Sequence, residues 1–431
     1  MENLGHDLYA LVEELYPICR SITGDGVRET LKKLEKHIAL TTHEVPTGTQ
    51  VFDWAVPKEW NIRDAYIKNV KGERIVDFKN SNLHVMSYSI PVRQTLSLDE
   101  LKTHLFTLPE HPEWIPYRTS YHNEQWGFCV THKQLSALRD EEYEVCIDSS
   151  LDDGALTYGE YYINGEVADE VLISCHICHP SLCNDNLSGI SIATFLAKYL
   201  TAEVCRYSYR FVFLPSTIGP ITWLCLNEAQ VQTIKHGLVL ALLGDPGPTT
   251  YKKSRQGDAE IDRVVKHVLQ HSGGPYDIVD FSPYGYDERQ YCSPGFNLPV
   301  GSIMRTPNGC FPEYHTSADN LDFVKPASLA DSWEKCRSVV ETLEGNRTYT
   351  NQNPKCEPQL GRRGLYRAIS GQAERGQQEM AIFWVLNLSD GKHSLLDIAE
   401  QAAMPFPVIK KAADALNAHQ LLKESQLEDC R

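Results

Sequence analysis

Val171-Leu172-Ile173-Ser174-Cys175-His176-Ile177-Cys178-His179-Pro180, then Asn184-Asp185-Asn186-Leu187-Ser188-Gly189, is the stretch on which the reading of this chain turns. A short apolar run bounded by polar residues has the length of a buried strand. Two histidines stand where it ends, and six residues after the second comes an Asp in a small polar turn. Imidazole nitrogen and carboxylate oxygen delivered from a strand end are donors that α/β hydrolytic enzymes use for a divalent metal. Outward from this point the pattern alternates. Strands are predicted over 171–174, 207–214 and 237–243, and helices over 189–200, 221–230 and 259–271. Strands spaced by amphipathic helices predict an α/β fold with a mostly parallel sheet, whose ligands gather at the strand C-termini.

Further donors follow in chain order. The strand over 237–243 leads into Gly244-Asp245-Pro246-Gly247, and Pro312-Glu313-Tyr314-His315-Thr316 precedes a helix predicted from Lys325. His176 or His179, with Asp185, Asp245 and His315, thus gives two imidazoles and two carboxylates from separate loops. That donor set suits Zn²⁺ first, with Fe²⁺ or Mn²⁺ as weaker claims. Asp245 alone reads equally as a turn residue capping its strand. Arg255 and Asp258 read either as a site for a substrate carboxylate or as a surface turn.

The chain has 431 residues, 42% hydrophobic and 23% charged, enough for two or three soluble domains. Residues 1–40 read as two helices, the second over 27–40. Residues 51–150 change character, with short strand-like runs, a helix over 98–105, and punctuating prolines and aromatics (Trp54, Trp60, Trp114, Tyr117, Tyr121, Trp126). They read as an inserted β-rich domain whose aromatics line a cleft, mediate self-association or simply pack a core; a homo-oligomer is compatible with this. A catalytic domain is then formed by residues 1–50 and 151–345. Residues 346–363 read as a linker. Residues 361–431 give three short helices and a strand, the order of a winged helix.

The net charge of −16 argues against a nucleic-acid surface. The winged-helix segment carries nine Lys or Arg and nine Asp or Glu, so it lacks the basic footprint of a DNA binder; a protein-contact or site-covering role is expected instead. No stretch reaches the roughly 20 apolar residues of a membrane span, and the start reads as an amphipathic helix rather than an export signal. Thirteen scattered cysteines then suggest reduced thiols and a cytoplasmic protein. Cys175-His176-Ile177-Cys178-His179 also fits covalent haem attachment, but that needs export and an exposed loop.

With these residues in view, the chain resembles the co-catalytic zinc aminopeptidases, the group containing aminopeptidase S and glutamate carboxypeptidase. It is closest to an aminopeptidase-like family with an inserted β domain and a C-terminal winged helix. The resemblance implies metal ligation by His176, Asp185, Asp245 and His315, with His179 as a ligand, a neighbour of the ligands or a substrate contact. It also aligns Tyr286-Asp287-Glu288-Arg289 with a Ser-Asp segment of those enzymes. One departure stands out. Where that group places a general-base Glu and a ligand Glu, this chain reads Pro215-Ser216-Thr217-Ile218-Gly219. A hydroxyl does not take a proton near neutral pH as a carboxylate does, and one metal rather than two is expected. Glu288 and Glu313 are candidate replacement bases. The expected function is metal-dependent hydrolysis of a small peptide-like or amino-acid-derived amide, its free amine received by an acidic group. The alternatives are a non-hydrolytic acyl transfer, cyclisation or condensation, and a non-catalytic binding protein.

Overall fold

Every residue from Glu170 to His176 is buried in a single strand, as a run apolar on both faces requires inside a parallel sheet. The fold is taken from a computed structural model, which describes residues 2–120, 123–365 and 372–425. Its principal strands are β1 (Thr41–Pro46), β2 (Glu59–Lys68), β3 (Arg74–Asp77), β4 (Val92–Ser97), β5 (Glu142–Asp152), β6 (Ala155–Ile163), β7 (Glu170–His176), β8 (Ser208–Leu214), β9 (Ile234–Leu240), β10 (Thr249–Lys252), β11 (Tyr276–Val279) and β12 (Val300–Met304). The helices are α1 (Glu2–Leu15), α2 (Asp25–Leu34), α3 (Leu98–Lys102), α4 (His132–Ala137), α5 (Gly189–Thr201), α6 (Ile218–Leu226), α7 (Glu260–His271), α8 (Glu288–Tyr291), α9 (Pro326–Gly345), α10 (Gln372–Leu388), α11 (Leu395–Ala402) and α12 (Phe406–Ala418).

An eight-stranded sheet of order β1-β6-β8-β7-β9-β12-β10-β11 forms the body of the first compact unit, residues 1–259 and 277–333. Its centre, β8-β7-β9-β12, is parallel; β1, β6 and β10 pair antiparallel toward the edges. His176 of β7 stands in register with Leu214 of β8, so both strands release their chains at the same end. Those chains carry the histidine turn and Ser216. Between β1 and β6 the chain leaves the sheet and builds a second, antiparallel one of order β3-β2-β5-β4. One hydrophobic cluster joins the two sheets, from Leu172, Val212 and Val239 to Ala65, Val145 and Ile147. Each Val, Leu or Ile side chain of the cluster contributes roughly 1.5–3 kcal/mol by leaving water.

The predicted helix over 27–40 is shorter than expected. It stops at Leu34, because from Thr41 the chain becomes β1 and pairs with β6. The helix over 98–105 likewise stops at Lys102, after a capping box at Ser97, and Leu105–Phe106 pairs with Phe128–Cys129.

The second unit comprises residues 260–276 and 334–431. It holds α7, the end of α9, α10, α11, α12 and a sheet of order β14-β13-β15, where β13 is Thr348–Asn351, β14 is Asp390–Ser394 and β15 is Leu422–Glu424. The expected linker over 346–363 therefore contains a strand, stabilised by partners on both sides. Within this unit α7 serves as part of the winged helix's support. Arg263 pairs with Asp397 and Glu400, and the Phe406 amide donates to His267 Nε2 at 3.0 Å. Residues 366–371 and 426–431 of the winged-helix segment lie outside the described residues.

Candidate metal centre

The turn after β7 closes on Asp185. Asp319 anchors it from below, accepting the amides of Asn184 at 2.6 Å and Asp185 at 3.0 Å. Asn184 ties it to the end of β9 by accepting the Gly244 amide at 2.8 Å, and Asn186 donates to the Leu240 carbonyl at 2.9 Å. Asp185 is thereby buried at a fixed point, and imidazoles surround its carboxylate. His176 Nε2 stands 2.8 Å from Oδ1, His315 Nε2 stands 2.9 Å from Oδ2, and His179 Nδ1 lies 3.8 Å from Oδ1. Among the described residues, the His, Cys, Asp and Glu donor atoms grouped within 4.8 Å of one another are those of His176, His179 and Asp185.

Each imidazole is oriented from behind. Asn186 Nδ2 sits 3.3 Å from His176 Nδ1, which leaves Nε2 to face Asp185. The Tyr286 ring stacks on His176 at 5.0 Å. Arg20, buried, donates to the His179 carbonyl at 2.9 Å. His315 has φ +57°, a left-handed conformation uncommon outside Gly, although His, Asn and Asp adopt it more often than other residues. Two contacts hold it there: the Tyr117 amide donates to its carbonyl at 2.7 Å, and Tyr314 stacks on its ring at 3.9 Å. The Tyr117 ring meets both His179 and His315 edge-on.

Electrostatics agree with the geometry. Burial pushes the Asp185 carboxyl up, but the surrounding imidazoles outweigh it and hold the group well below the carboxylate range. Burial lowers His179 to about 3 against the pull of Asp185, so its ring is neutral. Its Nδ1 is buried and has no hydrogen-bond partner. A neutral nitrogen donor aimed at an ionised carboxylate, beside further imidazoles, is a set that fits a divalent cation of the zinc type. Cys175 and Cys178 are not thiolate donors, because burial pushes Cys175 well up and Cys178 to about 12. Their burial also removes the exposed loop that haem attachment needs.

The histidines open onto a cavity of about 490 Å³. His179, His315 and Ser216 form its polar wall; Ile22, Ile218 and Ile221 form an apolar one. Tyr117, Tyr284, Tyr286, Tyr314 and Trp54 close it, and Arg289 also reaches it. Trp54 and Tyr117 are thus cleft residues, as one sequence expectation had it; Tyr121 lies outside the described residues. Behind Ser216 is a carboxylate that the cavity does not expose. Ser216 Oγ donates to Asp287 Oδ1 at 2.7 Å, and Asp287 is fully buried. Burial raises Asp287 to about 6, against the lowering effect of His176 and of the Ser216 bond.

Residues 9–346 match the family described as a domain of unknown function (DUF4910), and residues 347–424 match a winged helix-turn-helix. The chain belongs to the DUF4910 family. It is 58% identical over 419 residues to a Clostridium acetobutylicum protein described as a candidate polysaccharide biosynthesis protein with an aminopeptidase-like domain, covering 97% of this chain and 96% of that one. A crystal structure of a candidate peptidase from C. acetobutylicum superposes with a TM-score of 0.94 at 56% identity, covering 98% and 97% of the two chains. The zinc aminopeptidase of Bacillus subtilis superposes with a TM-score of 0.58 at 10% identity, over 79% of this chain and 95% of that one. The fold is therefore that of the zinc aminopeptidases, with a C-terminal winged helix. No helix among the described residues is long and apolar enough to cross a membrane.

Within this DUF4910 fold the other expected site residues are placed differently. Asp245 is spent on its own turn: Oδ1 accepts from Thr306 Oγ1 at 2.6 Å and Gly247 N at 2.8 Å, and Oδ2 accepts from Asn184 Nδ2 at 3.0 Å. These are the contacts of the capping residue that one reading of the sequence allowed, and the donor grouped with His176 and Asp185 is His179. Glu288 is buried against Lys252 at 2.8 Å. Gly285, at φ +153°, leaves room for that pair, since a Cβ there would meet Glu288 Oε1 at 2.3 Å. Glu313 lends its carbonyl to the Thr316 amide and hydroxyl in the turn that presents His315. Neither Glu288 nor Glu313 lines the cavity. In sequence Asp287 stood out only within the segment Tyr286-Asp287-Glu288-Arg289, with no role of its own, Asn186 only as part of a small polar turn, and Asp319 not at all.

Proposed function

We propose that the protein is a metal-dependent hydrolase of small peptide-like or other amides, with one Zn²⁺ held by His176, His179, Asp185 and His315, and with Ser216 and Asp287 together in place of the usual glutamate base. The aminopeptidase-like fold supports the reaction class, and the convergence of three imidazoles on Asp185 is the observation that carries the reading. When bound, the ion supplies Lewis acidity toward an amide carbonyl and a water. The chain's own residues do the rest. Tyr117 and the apolar wall exclude bulk water from that face of the cavity. Ser216 Oγ accepts a proton from the attacking water while its own proton passes to Asp287 Oδ1, 2.7 Å away. As the carbonyl carbon–nitrogen bond breaks, the proton returns along the same path to the departing amine nitrogen. A carboxylate raised toward neutrality is suited to taking and returning a proton near physiological pH.

Ser216 in place of a carboxylate at the cavity wall also favours a second reading, a non-hydrolytic acyl transfer or cyclisation on the same metal. The test combines metal content with isotope labelling. Zinc per chain should be about one in the wild type and strongly reduced in His315→Ala. Turnover in ¹⁸O-water should place solvent oxygen in the new carboxylate. Product free of solvent oxygen would transfer the protein to the non-hydrolytic class. Absence of bound metal in both proteins, even after zinc is supplied, would remove the enzymatic reading.

A further inference from the structure

An enzyme that trims peptides from a free amino terminus needs an anionic group to receive the substrate's ammonium. The cavity beside the histidines does not offer one. Among the described residues that line it there is no Asp or Glu, and Asp185 and Asp287 are both fully buried behind the histidines and Ser216. What the cavity holds is a cation. Arg289, at the start of the short helix α8, is the one Lys or Arg of the lining. Among the described residues it makes no ion pair, although its charge acts on the buried Asp287 behind it, and its Nε is buried without a hydrogen-bond partner. A surface arginine is solvated and needs no partner, but a donor shut off from water and left unpaired is destabilising. That cost is relieved when a ligand brings the acceptor. Arg255, the cation the sequence suggested for this task, is outside the lining and donates to Asn297 at 2.8 Å.

We infer that the substrate of this site carries a carboxylate that Arg289 binds, and that its amide nitrogen belongs to the carboxylate-bearing half: an N-acylated amino acid or a peptide's carboxyl-terminal residue, rather than a peptide presented by its free amine. The inference rests on the amide-hydrolase reading for the reaction, but not for the recognition. Arginine's planar fork matches a carboxylate in two parallel bonds. The apolar wall of Ile22, Ile218 and Ile221 suits an aliphatic or aromatic side chain beside it.

The test is binding, measured by calorimetry on the full chain with three probes: N-acetyl-leucine, N-acetyl-leucinamide and leucinamide. N-acetyl-leucine should bind about 10-fold or more tightly than its amide, the worth of a charge-assisted pair. The preference should persist after chelation, fall to near unity in Arg289→Met, and return in part in Arg289→Lys. Thermal melting of both variants checks that they are folded. Equal binding of acid and amide, tighter binding of leucinamide, or no binding of N-acetyl-leucine at millimolar concentration would each overturn the inference. A preference that survives in Arg289→Met but not chelation would assign the carboxylate to the metal and overturn it too. Turnover separates the two proposals: hydrolysis of leucinamide but not of N-acetyl-leucine ends this one and leaves the hydrolase reading intact. Acid-selective binding without any turnover does the reverse.

Discussion

The ends of β7 and β8 lie side by side in register, yet they are built on opposite principles. At the end of β7 the polar groups are tied down, apart from the His179 Nδ1 that faces Asp185. Asp185 meets three imidazoles, Asp319 holds its amide, and Asn184 and Asn186 bind the neighbouring strand. At the end of β8 commitment is partial: Ser216 has one firm bond to Asp287, while Asp287 Oδ2 and Glu288 Oε2 are buried without partners. The first arrangement is suited to holding something still. The second leaves lone pairs available for a proton to move. A metal site and a proton path need these different degrees of completion, and two adjacent strands supply them.

Asp185→Asn should break the comparison most completely. It removes the charge that three imidazoles share, and zinc measured per chain should fall at least ~100-fold in affinity, beyond what loss of a supporting contact causes. Asp287→Asn should separate the two ends. The amide can still hold Ser216 but cannot take its proton, so kcat should drop about 10²–10⁴-fold with zinc content unchanged. The pH profile sharpens this. A base must be ionised to act, and burial raises Asp287 to about 6, so wild-type kcat/KM should rise with pH through that value. The same acid limb should be absent in Asp287→Asn. Asp319→Asn turns an N–H₂ group toward one of the amides that Asp319 accepts; metal affinity should weaken roughly 10–100-fold, as for other supporting contacts. At the small end, Lys411→Ala on the exposed side of α12 should change zinc content and turnover less than about twofold, since single exposed charges contribute little.

The parallel sheet and the end of it that bears the site were legible in sequence because both rest on local signals. The run Val171-Leu172-Ile173 marks a doubly buried strand, and the small polar residues after it can only form a turn. His176, Asp185 and His315 were candidates only through their combination in chain order, since a single histidine after a strand reads as readily as a core or turn residue; the structure brings the three together. Asp245 could not be resolved, because an Asp before Pro-Gly gives one local pattern for a ligand and for a cap; the choice depends on Thr306, 61 residues away. Asp287 was hidden similarly, since its partner Ser216 is 71 residues distant. Strand β13 has the polar sequence Thr-Tyr-Thr-Asn, and its strand character comes from β14 and β15 rather than from itself.

Tyr117 reaches His315 from the segment between β4 and β5, and the loop bearing it is stitched to the His315 turn at three successive points. The Ile115 amide donates to Ser317 Oγ at 2.9 Å, Pro116 bridges Thr316, and the Tyr117 amide donates to the His315 carbonyl. A protein engineer seeking the smallest working version of this fold would be tempted to excise the second sheet as an ornament. Doing so would cut the thread that keeps one histidine in its unfavourable backbone conformation. Grafting in the other direction faces the same obstacle, since a foreign insert must bring its own latch for residue 315.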